Sequence, residues 1–363
     1  MKGPFLTGLQ LSEQFYRQAI QPILAAHFPH LRYSAALLGP GSEVLGYDDG
    51  QSTDHDWGPR LQLFLTPADL TTYQEPIERR LRAELPLTIA GYPLNLARKG
   101  GEDGSEPAPD DHSVVMVTVR DFFTRILRFD PTGEIRAVDW LMVPDYAILT
   151  LVRGRVFHDG LGQLAPIRAR LDYYPHDVWL YLMAAQWARI GQEEHFMGRC
   201  GQVGDELGSR LIAARLVRDL MKLTFLQERQ YAPYIKWFGT AFVRLACAGD
   251  LLPTLLNITL AQSWQERETY LSAAYHLVAE QHNGLAITPP LSPQVQPFFT
   301  RPFQVIGGER FADAIRAAIT SEEVLALPTH LGAVDQFIDS TDAFNHLYSG
   351  GLHDLFAVRG YLQ

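Results

Sequence analysis

The stretch GPGSEVLGYDDGQSTDHDWGPRLQLFLT, residues 39–66, carries the most informative pattern in this chain. An apolar run, 33–38, leads into a Gly-Ser pair, and a second apolar run, 61–65, follows the polar and acidic residues of the stretch. Short apolar runs bounded by Gly, Pro, Asp and Ser are typical of buried β-strands. The pattern therefore predicts two strands joined by a polar connection.

That connection holds an acidic pair, Asp54 and Asp56, which begins after eleven residues counted from Ser42. Side chains two residues apart on a strand point to the same face, so both carboxylates can hold one divalent ion, Mg²⁺ or Mn²⁺, on a nucleoside triphosphate. Gly41 lets the backbone approach a phosphate closely, and Ser42 with the amides that follow can cradle it. We expect a site for ATP or another nucleoside triphosphate here.

The combination of Gly41-Ser42, spacer and Asp54-x-Asp56 resembles the signature of the nucleotidyltransferase superfamily of the DNA polymerase β type. It is most similar to small bacterial enzymes that adenylylate aminoglycosides, and to a poorly characterised bacterial family with a nucleotidyltransferase head and a long helical tail. The resemblance implies transfer of a nucleoside monophosphate, AMP from ATP, to a hydroxyl of a small-molecule acceptor. The motif spans under a tenth of the chain, and an acidic surface loop is the alternative interpretation.

Two cations are candidates for the nucleotide site. The resemblance implies a lysine on the helical domain that reaches the phosphates, and Lys236 has a comparable place in the order of the chain. A lone lysine among apolar and aromatic residues is costly to bury unless an anion lies beside it. A surface lysine whose aliphatic stem is buried and whose ammonium group is in water is the equally good alternative. Arg199 lies in the glycine-punctuated stretch 198–210, where a solvated loop is the alternative.

The third carboxylate of the related enzymes is harder to place. In those enzymes it lies in the strand that follows the helix after the Asp-x-Asp. The corresponding predicted strand here, 113–119, has an apolar interior and is flanked only by His112 and Asp121. Asp139, in the predicted strand 137–143, is the substitute we expect to act as base or third acid, and capping of a turn is its alternative role. Without a third acid, the protein would be a non-catalytic nucleotide-binding protein or pseudoenzyme.

Two further patterns keep other functions open. Arg215 and Arg218, three residues apart on a predicted helix, either bind phosphate or form salt bridges. Arg189 and His195 have the Arg-spacer-His arrangement of helical ribonucleases that accompany small nucleotidyltransferases, and a protein modifier of the toxin–antitoxin type is a related alternative.

Composition limits the possible partners and compartment. The net charge of −10, from 31 basic and 41 acidic residues, argues against an extended nucleic-acid surface, which needs clustered Lys and Arg. Two cysteines, Cys200 and Cys247, give neither a disulfide framework nor a metal cluster. No secretory leader and no run of about eighteen apolar residues is found. We expect a cytoplasmic protein without a membrane partner; the sequence leaves the oligomeric state open.

The remaining pattern predicts an α+β fold, with a small mixed sheet followed by an all-helical region. Residues 98–112 are predicted to form an exposed loop, with a lid over the nucleotide as the alternative. The predicted strands are 33–38, 61–65, 87–97, 113–119 and 137–143. The predicted helices before residue 165 are 12–28 with Ser12 as N-cap, a helix that opens at 66–69 and has 73–85 as its body, 122–127, and a helix from Pro144.

After residue 165, strand signals nearly vanish. We predict three regions, a nucleotidyltransferase-like domain at 1–165, a helical domain at 166–290 and a C-terminal helical segment at 291–363 packed on it. The helical patterns are 178–190, 207–227, 231–248, 251–281 and 309–319.

Overall fold

A computed structural model describes residues 5–53, 57–95, 111–329, 331–338 and 340. The chain divides into two compact units. Unit 1 comprises Met1–Ile135 and Ala147–Asp172, and unit 2 comprises Arg136–Tyr146 and Tyr173–Gln363.

Unit 1 is a small sheet with helices around it. Helix α7, Asp145–Arg153, contributes its first two residues to unit 2 and the rest to unit 1. The other elements of unit 1 are, in chain order, α1 Gly8–Phe15, a π-helical turn Tyr16–Ile20, α2 Gln21–His27, β1 Ser34–Leu37, α3 Ser42–Leu45, β2 Arg60–Phe64, α4 Pro67–Glu84, β3 Thr88–Ile89, β4 Tyr92–Pro93, β5 Ser113–Val117, α5 Val119–Leu127, β6 Arg155–Asp159 and α8 Leu164–Arg170.

The main sheet has four strands in the order β5-β2-β1-β6. Strand β1 runs antiparallel to both β2 and β6, whereas β2 and β5 are parallel. Because β1 and β2 are antiparallel, the end of β1 and the start of β2 lie at the same edge of the sheet. In the sequence, the Gly-Ser pair follows β1 and the Asp-x-Asp precedes β2.

Successive side chains of the two central strands, β1 and β2, point to opposite faces of the sheet, and both faces are buried. Ala35, Leu61 and Leu63 join a core with residues of α1, the π-helical turn and α4, among them Phe15 and Ile77. On the opposite face, Phe64 packs edge-on against Phe122 of α5, with ring centroids 5.3 Å apart. Burial on both faces explains why β1 and β2 read as continuous apolar runs.

The described residues of unit 2 form helices and one two-stranded ribbon. Helix α9 is its central element and packs against α11 and α15, with the Trp187 ring stacked on Phe311 at 4.2 Å. The elements are α6 Ala137–Leu141, α9 His176–Glu193, α10 Phe196–Gln202, α11 Glu206–Gln227, α12 Ile235–Phe242, α13 Ala248–Leu260, α14 Trp264–Gly284, β7 Gln296–Pro297, β8 Gln304–Val305, α15 Gly308–Ala317, α16 Glu322–Leu325 and α17 Val334–Phe337.

The structure confirms the α+β class, with a small mixed sheet in the first part of the chain and helices in the second. Strands at 33–38 and 61–65, and helices at 122–127, 178–190, 207–227 and 309–319, are confirmed within a few residues at their ends. The helices that open at 66–69 and at Pro144 are confirmed as α4 and α7. Three patterns came out shorter or broken. The run 87–97 forms the hairpin β3-β4, the run 231–248 narrows to α12, and the run 251–281 is interrupted between α13 and α14.

Two predictions about local structure are wrong. The run 137–143 is helix α6 with the turn that follows it, since the Asp139 carboxylate accepts a hydrogen bond from the backbone N–H of Arg136 at 2.9 Å and so closes the first helical turn. Helix α1 begins earlier than predicted, capped by Thr7, and Ser12 lies buried inside it. There Ser12 Oγ accepts a hydrogen bond from the Arg60 backbone N–H at 3.3 Å.

Strand β5 exists but is not the fully buried strand that the run 113–119 suggested. It is the last strand in the sheet order, and among the described strands it pairs with β2 alone. Val114 is buried, whereas Val115 is 46% exposed. No helix in the described part of the chain is long and apolar enough to cross a membrane.

Candidate functional site

The Gly-Ser turn leaves the sheet at the end of β1. The side chain of Gln62 on β2 holds its first residue, because Gln62 Oε1 accepts from the Leu38 backbone N–H at 2.9 Å and Gln62 Nε2 donates to the Leu38 carbonyl at 3.1 Å. Gly39 and Gly41 follow with φ angles of 88° and 151°. L-residues with a side chain rarely adopt such angles, so the turn depends on glycine at both positions.

A buried ion pair closes the turn against β2. Glu43, 1% exposed, accepts from Arg60 Nε at 2.8 Å, and Arg60 Nη2 donates to the same carboxylate and to the Pro40 carbonyl, the latter at 2.7 Å. A Cβ atom on Gly41 would overlap both the Arg60 guanidinium and the Glu43 carboxylate. The Gly-Ser turn and the first residue of β2 are therefore neighbours in space, and a guanidinium lies between them.

The segment between the turn and β2 is anchored at both ends. Asp48 Oδ2 accepts from the Gly8 backbone N–H at 2.7 Å and from Trp57 Nε1 at 3.0 Å, and Trp57 itself is buried. The predicted metal ligands, Asp54 and Asp56, lie outside the described residues, between these two anchors in sequence. The predicted loop 98–112 also lies outside them, except for its last two residues.

The other predicted acid, Asp139, is in unit 2. Its carboxylate is buried and forms an ion pair with Arg136 at 2.8 Å, in addition to the bond to the Arg136 backbone. A buried carboxylate needs a metal or a cationic partner. Arg136 supplies that cation, and the contacts of Asp139 are those of a helix N-terminal cap.

The two predicted cations lie on the surface of unit 2. Lys236 is exposed, with its Nζ 5.1 Å from the centroid of the Trp237 ring. Arg199 is also exposed and donates to Gln202 Oε1 at 2.8 Å. The burial that would have required an anion beside Lys236 is not present, and the surface alternative describes its environment.

The remaining patterns have structural partners. Arg189 donates to Asp219 Oδ1 at 3.1 Å, and the His195 ring stacks on Phe298 at 4.1 Å. Burial lowers the pKa of His195, which disfavours the charged imidazolium. Arg215 pairs with Glu193 at 2.7 Å. Arg189, His195 and Arg215 therefore each have a protein partner.

Sequence reasoning missed two features. The first is Arg60, and its only signal in the sequence is a cation directly before the apolar run 61–65. In unit 2, Lys222 of α11 and Asp335 of α17 line one cavity with Asp145. Those residues are far apart in sequence, so only the fold brings them together.

Asp145 has an unusual environment in this cavity. Its Oδ1 accepts from the Tyr174 hydroxyl, and its Oδ2 accepts from the Ala232 backbone N–H at 3.2 Å. Burial, followed by the charge of Asp335, raises the pKa of Asp145 to about 7. Burial likewise raises the pKa of Asp335, although Lys222 opposes the shift.

Comparison with known proteins gives two findings. Residues 140–238 match the model of a family described as Domain of unknown function (DUF4037). A crystal structure of a nucleotidyltransferase-like protein from Exiguobacterium sibiricum 255-15 is similar at 13% identity, with a TM-score of 0.33, over 76% of this chain and 78% of that chain. No curated protein matches the chain.

Proposed function

We propose that the protein is a metal-dependent nucleotidyltransferase that moves a nucleoside monophosphate, AMP from ATP, to a hydroxyl of a small molecule. The observation that carries the proposal is the closure of the Gly41-Ser42 turn against the start of β2. This closure brings a glycine turn, a serine and the Arg60 guanidinium to the sheet edge that the Asp-x-Asp precedes.

Each group has a role in this chemistry. Asp54 and Asp56 would hold Mg²⁺ or Mn²⁺, which neutralises charge on the triphosphate. Gly41 lets the backbone approach the phosphates, and Ser42 can donate to them. Arg60 Nη1 has no partner among the described residues, so it can also donate to a phosphate while Glu43 fixes the guanidinium plane.

Binding of Mg-ATP tests this assignment. The protein should gain roughly 2.7 kcal/mol of stability at about one hundred times the dissociation constant, which a thermal-shift measurement detects. Asp54→Asn and Asp56→Asn should each remove most of the gain because each loses a metal ligand. Asp313→Asn, at an exposed position of α15, is the matched control and should retain it. An unchanged shift in both motif variants would refute the assignment.

A nucleotide-binding protein without transfer activity is the second candidate. The observation that favours it is the contact set of Asp139, whose carboxylate is already paired with Arg136. Deprotonation of an acceptor hydroxyl needs a base within hydrogen-bond reach. Pyrophosphate release from Mg-ATP in the presence of hydroxyl acceptors separates the candidates, since only the transferase forms pyrophosphate.

A further inference from the structure

Unit 2 holds a cavity of about 280 Å³ between helices α11, α12 and α17 and the start of α7. This is slightly below the range of pockets that hold drug-sized ligands, so it suits a smaller molecule. A recess of about 20 Å³, enough for one water molecule, shares Asp145, Lys222, Ala232 and Asp335 with it. Except for Asp335 and Ser340, all lining residues of the larger cavity fall within residues 140–238, the segment that matches the family model.

One polar atom in this cavity lacks a partner. Asp335 Oδ1 is buried and accepts no hydrogen bond from any described residue. An unsatisfied buried acceptor costs about 1–3 kcal/mol, and more when it is charged. Lys222 Nζ donates to the backbone carbonyl of Asp335. Because no described residue satisfies Oδ1, a ligand hydroxyl that enters the small recess beside Asp335 would supply a hydrogen bond that the protein does not.

Charges of both signs meet in the cavity. Asp145 and Asp335 supply two carboxylates, and Lys222 and Arg218 supply two cations. A ligand that carries a net charge would be attracted by one pair and repelled by the other. A neutral hydroxyl both donates and accepts, so neighbouring hydroxyls can satisfy acceptors and donors that lie side by side.

The walls of the cavity are apolar and aromatic. Tyr146 and Tyr234 meet edge to face with ring centroids 6.1 Å apart, and Pro233, Ile235 and Phe238 complete the wall. Aromatic rings offer flat apolar surface that can cover the C–H groups of a ring-shaped ligand. A lining that combines charged groups with aromatic rings suits a molecule that has hydroxyls at its edge and C–H groups on its face.

We propose that this cavity binds a neutral polyhydroxylated small molecule of about the size of one sugar ring, with a ligand hydroxyl donating to Asp335 Oδ1. The site goes beyond the nucleotide site proposed above, and it uses residues of unit 2 alone.

Ligand-detected saturation-transfer NMR on the full chain tests the proposal. Neutral probes are D-glucose, D-galactose and myo-inositol, and the charged matches are D-glucosamine and D-glucose 6-phosphate. At least one neutral probe should show saturation transfer and bind more tightly than both charged compounds. Asp335→Ala and Tyr234→Leu should each weaken that binding about tenfold or more, because they remove the acceptor and the aromatic wall respectively.

Asp313→Ala removes an exposed carboxylate from the same unit and should leave binding unchanged. Thermal melting of each variant shows whether it is folded, and Asp335→Ala should stay folded because the carboxylate it removes is disfavoured by burial. The proposal is overturned if no neutral probe binds, if a charged match binds more tightly, or if folded Asp335→Ala and Tyr234→Leu bind like the unmodified chain. None of these outcomes depends on ATP, so the nucleotide site can fail or hold independently.

Discussion

At the scale of single residues, Gly41 has the most restricted environment near the nucleotide motif. Its φ of 151° and the closeness of Arg60 and Glu43 leave no room for a side chain. Glu43 is almost fully buried, and its charge is matched by the Arg60 guanidinium. Removing one member of a buried ion pair leaves the other uncompensated, so the turn and the pair stabilise one another.

Gly41→Ala should therefore destabilise the protein by about 1–3 kcal/mol, the cost of strained backbone, and displace Arg60 from the turn. Urea unfolding measures the loss, and Mg-ATP binding should weaken in parallel. Gly50→Ala is the matched control, because a Cβ atom at Gly50 meets nothing within 4 Å and the residue does not have a positive φ. Equal behaviour of the two variants would contradict the account of the turn.

At the scale of elements, apolar pattern alone identified the elements whose faces are evenly buried. Strands β1 and β2 are buried on both faces, and α9 is apolar around most of its surface. The pattern failed in two elements. In α6, a short apolar run is helical because Asp139 caps the turn at Arg136. In β5, an apolar run at the end of the described sheet order buries Val114 on one face and exposes Val115 on the other. Neither outcome is visible in periodicity.

The sequence predicted the local part of the candidate site but not the contacts between residues that are distant in sequence. The Gly-Ser turn follows a strand as expected, because a glycine pair after an apolar run is a local signal. The Glu43–Arg60 pair joins residues seventeen apart, and the cavity of unit 2 joins α11 to α17, so both needed the fold. The aromatic neighbours of Lys236 in sequence left its burial open, and the fold exposes its side chain.

Helix α14 provides a prediction on pH. His282 is fully buried, edge-on to Phe311 at 5.1 Å, and its Nε2 lies 3.1 Å from Thr288 Oγ1. Burial lowers the pKa of His282 from 6.5 to about 4, so the folded protein holds the neutral imidazole. The stabilisation is present above about pH 6.5 and is lost as pH falls toward 4, because only the unfolded chain takes up the proton in this range.

When the pH falls from about 7 to about 5, proton uptake by His282 in the unfolded chain should lower the free energy of unfolding by about 2 kcal/mol. Urea unfolding at both values measures the change. His282→Gln, which cannot titrate, should reduce the pH dependence by that amount, whereas His30→Gln, at an exposed position, should not change it. A His282→Gln variant that is as sensitive to pH as the unmodified chain would show that the imidazole is protonated in the fold.

At the scale of the whole molecule, the chain combines a sheet-based unit and a helical unit. Unit 1 carries the Gly-Ser turn and the Arg60–Glu43 pair, and unit 2 carries the aromatic cavity with Asp335 and Lys222. The net charge of −10 is compatible with both proposals because each needs only a few local cations. Nucleotide binding and polyol binding can thus be measured separately on the same protein.

The location of metal and triphosphate tests the central claim most directly. Crystals grown with Mn²⁺ and a non-hydrolysable ATP analogue should show an anomalous peak between the carboxylates of Asp54 and Asp56, at the roughly 2.0–2.2 Å ligand distances expected for a small divalent ion bound by oxygen. The triphosphate should lie against Gly41 and Ser42 within hydrogen-bond distance of Arg60. A nucleotide bound at full occupancy elsewhere, with no peak at the Asp-x-Asp, would contradict the account.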